Sequence, residues 1–133
     1  PFLKFEWLAL FDKKMIELAR QHQVLQSDDI HANLINDGDQ VLAFERANLL
    51  FVFNFNPTRS FTDYGIPVRA GKFKIVLNSD HPDFGGFNRI DESLNYYSEP
   101  IPLQRSTHQV KLYIPSRTVL VLSRLEIKSI YDI

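Results

Sequence analysis

Residues 49–56 read Leu49-Leu50-Phe51-Val52-Phe53-Asn54-Phe55-Asn56. With the two-residue period of an extended chain, Phe51, Phe53 and Phe55 fall on one face of a strand and Leu50 and Val52 on the other. A half-solvated strand alternates apolar with polar residues, so this one is central and has something covering each side. Pro57-Thr58-Arg59-Ser60 ends it, because proline removes a ladder donor and presets φ for a turn.

Upstream, residues 40–46 read as a second strand, and Ala47-Asn48 is short enough to return the chain as a hairpin. Before it, Ile30, Ala32 and Leu34 alternate along a third strand that ends in the tight turn Asn36-Asp37-Gly38-Asp39. Three antiparallel strands therefore follow one another. Residues 57–71 hold two prolines and two glycines and read as an irregular loop.

Downstream, Phe73, Ile75 and Leu77 alternate with Lys72, Lys74 and Val76, a strand with one mostly wet face. Residues 78–95 form a long loop carrying Asp80, His81, Pro82, Asp83, Gly85 and Gly86, of a length more often functional or interfacial than idle. A short strand follows over residues 94–98, broken by Pro100 and Pro102. Val110, Leu112 and Ile114 then alternate with Gln109, Lys111 and Tyr113, and Pro115-Ser116 turns the chain into residues 118–122, apolar on both faces. About seven short strands with turns between them, and no internal repeat, predict a mainly β fold: an antiparallel β-sandwich with one N-terminal α-helix packed at one end.

That helix spans residues 2–23, with Trp7 or Leu8, Phe11, Met15 and Leu18 at spacings of three and four and Lys13, Lys14, Glu17 and Arg20 opposite. Its first half is too apolar for one stripe, since Phe2, Leu3, Phe5, Trp7, Leu8, Leu10 and Phe11 spread around the helix. It is expected to touch more than one neighbour, one of them outside this sequence, and to leave an apolar patch that promotes self-association. The chain begins Pro1-Phe2-Leu3-Lys4-Phe5 without an initiator methionine, which suggests a piece of something longer.

The 133 residues suffice for one compact domain with a sizeable core. A net charge of −1 with 23% charged residues argues against a nucleic-acid or anionic-membrane surface. The chain has no cysteine, which removes a disulfide framework, a thiolate metal site and a cysteine nucleophile, and fits a reducing compartment, so a cytoplasmic protein is expected. No run approaches the length of a membrane-spanning helix, and the start lacks the pattern of a signal peptide.

A search for reaction chemistry returns little. His22, His31, His81 and His108 are scattered, with no helical metal pair. Asp80-His81-Pro82-Asp83 is the one acid and histidine cluster and reads as a solvated polar loop, so no metal or cofactor is expected. A nucleophile elbow, a phosphate loop and a dinucleotide fingerprint are absent. Asp80, Asp83, Asp91 and Glu92 supply carboxylates, but nothing gives them the paired geometry of glycoside chemistry. Aromatic side chains in loops offer flat plates for sugar rings, and Tyr64, Phe84, Phe87, Tyr96 and Tyr97 are the candidates, against the plainer role of plugging the ends of the sandwich.

Phe44-Glu45-Arg46, residues 49–56 and Pro57-Thr58-Arg59-Ser60-Phe61-Thr62-Asp63-Tyr64 closely resemble the C-terminal domain of 1,4-α-glucan (glycogen or starch) branching enzymes, in the α-amylase superfamily. The resemblance continues through residues 71–80 and Phe84-Gly85-Gly86-Phe87-Asn88-Arg89-Ile90-Asp91, and resumes at Tyr113-Ile114-Pro115-Ser116-Arg117. Phe11-Asp12-Lys13-Lys14-Met15 is similar to the segment that closes that family's catalytic barrel. Asn56 departs from the family, whose form often has histidine before the proline.

The resemblance implies that residues 1–26 are the helical tail of a catalytic barrel and residues 27–133 a C-terminal all-β sandwich domain. It implies a parent enzyme that cleaves an α-1,4-glucan through a covalent glycosyl intermediate and transfers the segment to a 6-hydroxyl. The family's catalytic aspartates and glutamate lie on barrel loops upstream, so no catalytic residue is carried over and this chain alone is expected to be inactive. The expected partners are the barrel itself and α-glucan, the latter through Tyr64, Phe84, Phe87 or Tyr96. An autonomous carbohydrate-binding module is the alternative, and an independent enzyme built on residues 80–92 is the weakest reading.

Overall fold

The computed structural model describes residues 10, 11, 13–17, 20, 21 and 30–125. Nine strands follow in order: β1 (Ile30–Asn36), β2 (Val41–Arg46), β3 (Leu49–Asn54), β4 (Phe61–Val68), β5 (Lys72–Asn78), β6 (Asn95–Tyr97), β7 (Glu99–Ile101), β8 (Gln104–Ile114) and β9 (Thr118–Leu125). They form a six-stranded sheet, β1-β2-β3-β9-β5-β6, and a three-stranded sheet, β4-β8-β7. Every pairing is antiparallel. The mainly β, antiparallel expectation holds.

β3 is the centre that its two apolar faces predict, hydrogen-bonded to β2 on one side and β9 on the other. Its Leu50 and Val52 join Val41, Ala43, Phe73, Ile75, Leu120 and Leu122 against Ile66, Val68, Val110, Leu112 and Ile114 of the smaller sheet. This is the core between the sheets, and each such buried side chain contributes roughly 1.5–3 kcal/mol relative to exposure. The opposite face of β3 gives Leu49 and Phe51 to a second cluster with Leu77 and Val121, joined by Phe44, Phe53 and Phe84. The cover there includes Phe11 and Met15, on helical residues. The helix thus lies against the outer face of the larger sheet, where β3 and β9 need a second cover, and not at an end of the sandwich. The rest of residues 1–29, including Trp7 and Leu8, lies outside the described residues.

Four local expectations are corrected. Residues 57–71 are not all irregular: β4 occupies Phe61–Val68 and pairs with β8 along most of its length. Pro67 is tolerated because β4 is an edge of its sheet. Pro100 likewise sits in β7, the opposite edge, instead of breaking the chain's extension. Leu77 does not share a face with Phe73 and Ile75, because a register shift between Ile75 and Leu77 turns it to the outer cluster. In β1 a similar shift between Ala32 and Leu34 lets Leu34 pack on the core and leaves Ile35 on the outside, 68% exposed.

Candidate functional site

The long segment between β5 and β6 is the loop flagged in the sequence, and it is tightly built. Asn78 accepts at Oδ1 from the Asp80 N–H at 2.9 Å, which turns the chain as it leaves the sheet. Asp80, 3% exposed, accepts from the N–H groups of Phe87 (3.2 Å) and Arg89 (2.7 Å) and from Arg89 Nη2 (2.8 Å). Arg89 in turn donates through Nη1 to Ser116 Oγ (3.2 Å) and through Nη2 to the Ser116 carbonyl (3.0 Å). Burial alone would raise the Asp80 pKa, but the Arg89 side chain and the two backbone N–H groups outweigh it, so the carboxyl stays below its ordinary range.

The rest of the loop follows from that clasp. Residues Pro82–Phe84 make one 3-10 turn, capped by His81, whose Nδ1 accepts from the Asp83 N–H at 3.0 Å. Gly85 ends the turn at φ 77°, a conformation glycine adopts freely. Gly86 passes so close to Asp80 that a Cβ there would stand 2.1 Å from the Asp80 carbonyl carbon and oxygen. The acid and histidine cluster is therefore spent on structure: Asp80 faces Arg89 and His81 caps a turn. Among the described residues no group of three potential metal ligands comes together.

The predicted sugar-stacking residues scatter. Tyr64, on β4, donates its hydroxyl to Asp39 Oδ2 at 2.9 Å and accepts from Asn36 Nδ2 at 3.2 Å, tying the β1–β2 turn to the smaller sheet. Its pKa is raised by burial first and by the Asp39 carboxylate second. Tyr96, on β6, packs against the core from the far edge of the larger sheet, and burial followed by the charge of Asp91 raises its pKa. Tyr97 is 42% exposed on the same strand. Phe84 meets Phe11 edge-on at 5.1 Å. Phe87 is 80% exposed, with the Arg89 guanidinium 5.2 Å from its ring centre.

Of these, Phe84 and Phe87 share a cavity of about 370 Å³, bounded also by Pro57, Arg89, Ser116 and Arg117. A second cavity of about 510 Å³ is lined by His81, Asn88, Arg89, Ile90, Asp91 and Glu92.

An aromatic feature went unassigned in the sequence although its alternation was visible. Phe51, Phe44, Phe53 and Phe55 stack in sequence across the outer face of β2 and β3, with centroid separations of 4.8, 5.9 and 5.5 Å and interplanar angles of 13°, 16° and 12°. Phe51 is buried, while Phe55 at the other end of the row is 58% exposed. Beyond it opens a third cavity of about 420 Å³, lined by Ile35, Asn36, Asp37, Gln40, Val41, Leu42 and Phe55. The outer surface of the smaller sheet differs in character, with Lys111 3.1 Å from Glu99 and Gln109 also donating to Glu99. Among the described residues no helix is long and apolar enough to cross a membrane.

Residues 31–124 match the family model described as "Alpha amylase, C-terminal all-beta domain". The chain is 41% identical over 127 residues to the 1,4-alpha-glucan-branching enzyme of Saccharomyces cerevisiae, covering 95% of this chain and 18% of the relative. It is 45% identical over 123 residues to that of Candida glabrata, covering 92% and 17%. To that of Equus caballus it is 38% identical over 125 residues, covering 93% and 18%. The chain thus spans less than a fifth of the length of these relatives. Together, the matched strands and the relatives establish that the chain belongs to the alpha-amylase C-terminal all-beta domain family, in the form found in 1,4-alpha-glucan-branching enzymes.

Proposed function

We propose that this chain is the non-catalytic C-terminal domain of a 1,4-α-glucan branching enzyme, with residues 1–26 as the tail of the catalytic barrel and residues 27–133 as the sandwich that supports it. The parent reaction breaks an α-1,4 bond with formation of a glycosyl–enzyme bond, then transfers the glycosyl group to a 6-hydroxyl. The observation that carries the reading is the asymmetry of the two outer faces: the larger sheet has an apolar one partly covered by Phe11 and Met15, the smaller a charged one. An apolar sheet face is stable only under cover, and the helix supplies cover from the part of the chain that leads to the barrel. Ile16, next to Met15 in the chain, is 53% exposed and on this reading is a side chain that the barrel would cover.

The chain alone should leave the iodine absorbance of amylose unchanged, and a change would refute the non-catalytic reading. In the complete enzyme, Ile16→Glu should shorten the thermal half-life of branching activity while leaving the melting of the 133-residue chain as it was. Equal half-lives would remove the supporting role.

A second reading, glucan contact by the domain itself, is favoured by Phe87, which the Asp80–Arg89 clasp holds out into solvent. Retardation of the chain in a glycogen-containing gel, relative to a non-binding protein of similar size, is its test.

A further inference from the structure

Among the described residues, one arginine on a rigid turn is left without a carboxylate. Arg59, Arg69 and Arg89 each reach one, at 3.6, 2.9 and 2.8 Å, whereas the exposed guanidinium of Arg117 reaches none. The Arg117 backbone stands at φ 54°, in the left-handed region where a Cβ crowds the following carbonyl oxygen and glycine or asparagine is usual. A long charged side chain is thus held at a strained position without an ion pair of its own. Strain of this kind persists only where the surroundings fix it, and it gathers at functional contacts.

Those surroundings are dense. The Arg117 N–H donates to the Asn56 carbonyl at 3.1 Å, the Ser116 N–H to Ser60 Oγ at 2.9 Å and Asn54 Nδ2 to the Pro115 carbonyl at 3.0 Å, while Arg89 donates to Ser116 Oγ. The turn is therefore preorganised, and a group that meets Arg117 has no backbone to order there. Residues 115–117 lead from β8 of the smaller sheet to β9 of the larger, and residues 55–60 lead from β3 to β4, so Arg117 and Pro57 stand at an end of the sandwich and not on its apolar outer face. They bound the cavity of about 370 Å³ together with Phe84, whose ring meets Phe11 of the helix at 5.1 Å. The charged end and the helix-covered face are continuous through that one phenylalanine.

We infer that Arg117 is an ion-pairing anchor for a carboxylate of the catalytic barrel, a polar contact added to the apolar cover of the larger sheet. The inference rests on the proposed branching-enzyme reading, in which most of the protein lies outside this chain. Charge selects the occupant: the planar guanidinium fork matches a carboxylate, and an apolar surface laid over it would desolvate a charge without pairing it.

The test is one substitution with opposite expected signs in two proteins. In the 133-residue chain, Arg117→Gly should raise the melting midpoint by about 4 °C, because glycine accepts the left-handed backbone and no ion pair is lost. In the complete enzyme it should shorten the thermal half-life of branching activity about fivefold, and the gap from the parent should narrow at high salt, as it does for an ion pair. Arg117→Asn, which also tolerates that backbone, should shorten the half-life alike and so exclude glycine flexibility as the cause. A half-life no shorter than the parent's, or a gap that salt leaves unchanged, would overturn the anchor and leave the supporting role to be judged by Ile16→Glu. A lowered midpoint in the 133-residue chain would place the work of Arg117 inside the domain and overturn it as well. Stabilisation of that chain by inorganic phosphate, abolished in Arg117→Gly, would assign the guanidinium to a diffusible anion instead of the barrel. Equal half-lives for the parent, Ile16→Glu and Arg117→Gly enzymes would remove the supporting role and the anchor together.

Discussion

Arg89 reaches Asp80 at 2.8 Å while donating to both the side chain and the carbonyl of Ser116, so a single guanidinium fastens the β5–β6 loop to the β8–β9 turn. The two elements come from distant parts of the sequence, and the planar fork of arginine is what lets one side chain satisfy both.

Removal of that fork should be costly. Arg89→Met leaves the nearly buried Asp80 carboxylate with backbone donors alone, and a loss of about 3 kcal/mol is expected from breaking one side of such a pair. Urea unfolding of the two proteins reads this as a lower midpoint at unchanged slope. A difference below about 0.5 kcal/mol, the level of an exposed pair, would show that the clasp is not closed in solution.

The same pair sets an acid limb. The Asp80 pKa is lowered from 3.8 in the folded protein, so its contribution to stability is complete above the unfolded value and is lost as pH falls from there through the folded pKa. Stability curves measured from neutral pH downward should therefore fall less steeply in Arg89→Met than in the parent below about pH 4. Parallel curves would assign the acid sensitivity to other carboxylates.

Gly86 has no room for a side chain. In Gly86→Ala the new methyl would overlap the Asp80 carbonyl, and backbone, unlike a flexible side chain, cannot step aside locally. A loss of about 3 kcal/mol is expected, at the upper end for overpacking. Thermal melting measures it, and an unchanged midpoint would mean that the loop has a second conformation of similar energy.

Tyr64 was a candidate for sugar contact, but its hydroxyl is engaged by Asp39 and Asn36. Tyr64→Phe should lower stability by about 1 kcal/mol, the usual worth of such hydrogen bonds, and leave maltoheptaose affinity unaltered. A weakened affinity with unchanged stability would reverse that assignment. Ultraviolet titration adds a second readout: the phenol whose pKa is raised by burial and by Asp39 should be missing from the variant.

What could be read from the sequence was whatever depends on neighbours along the chain. The alternation in residues 49–56 located the central strand and both of its covered faces, and Pro115-Ser116 and Ala47-Asn48 marked true turns. Side-chain period and turn chemistry are local properties, so one sequence suffices for them. The resemblance carried by residues 57–64 and 84–91 pointed to the family that the matched strands establish.

Other features depended on neighbours across space. Pro67 and Pro100 are compatible with strands only because β4 and β7 fall at sheet edges, a fact of topology that no local pattern contains. The register shifts beside Leu34 and Leu77 reassign faces after an apparently regular alternation. Asp80 looked like part of a polar loop until Arg89 and the N–H of Phe87 converged on it, and Phe55, read on the same covered face as the buried Phe51, is 58% exposed. The sequence by itself determined the central strand with its two apolar faces, the turns beside it and the family, because these follow from local chemistry. Tertiary structure alone decided which surface is covered and which carboxylate is paired, because each requires groups far apart in the chain to meet.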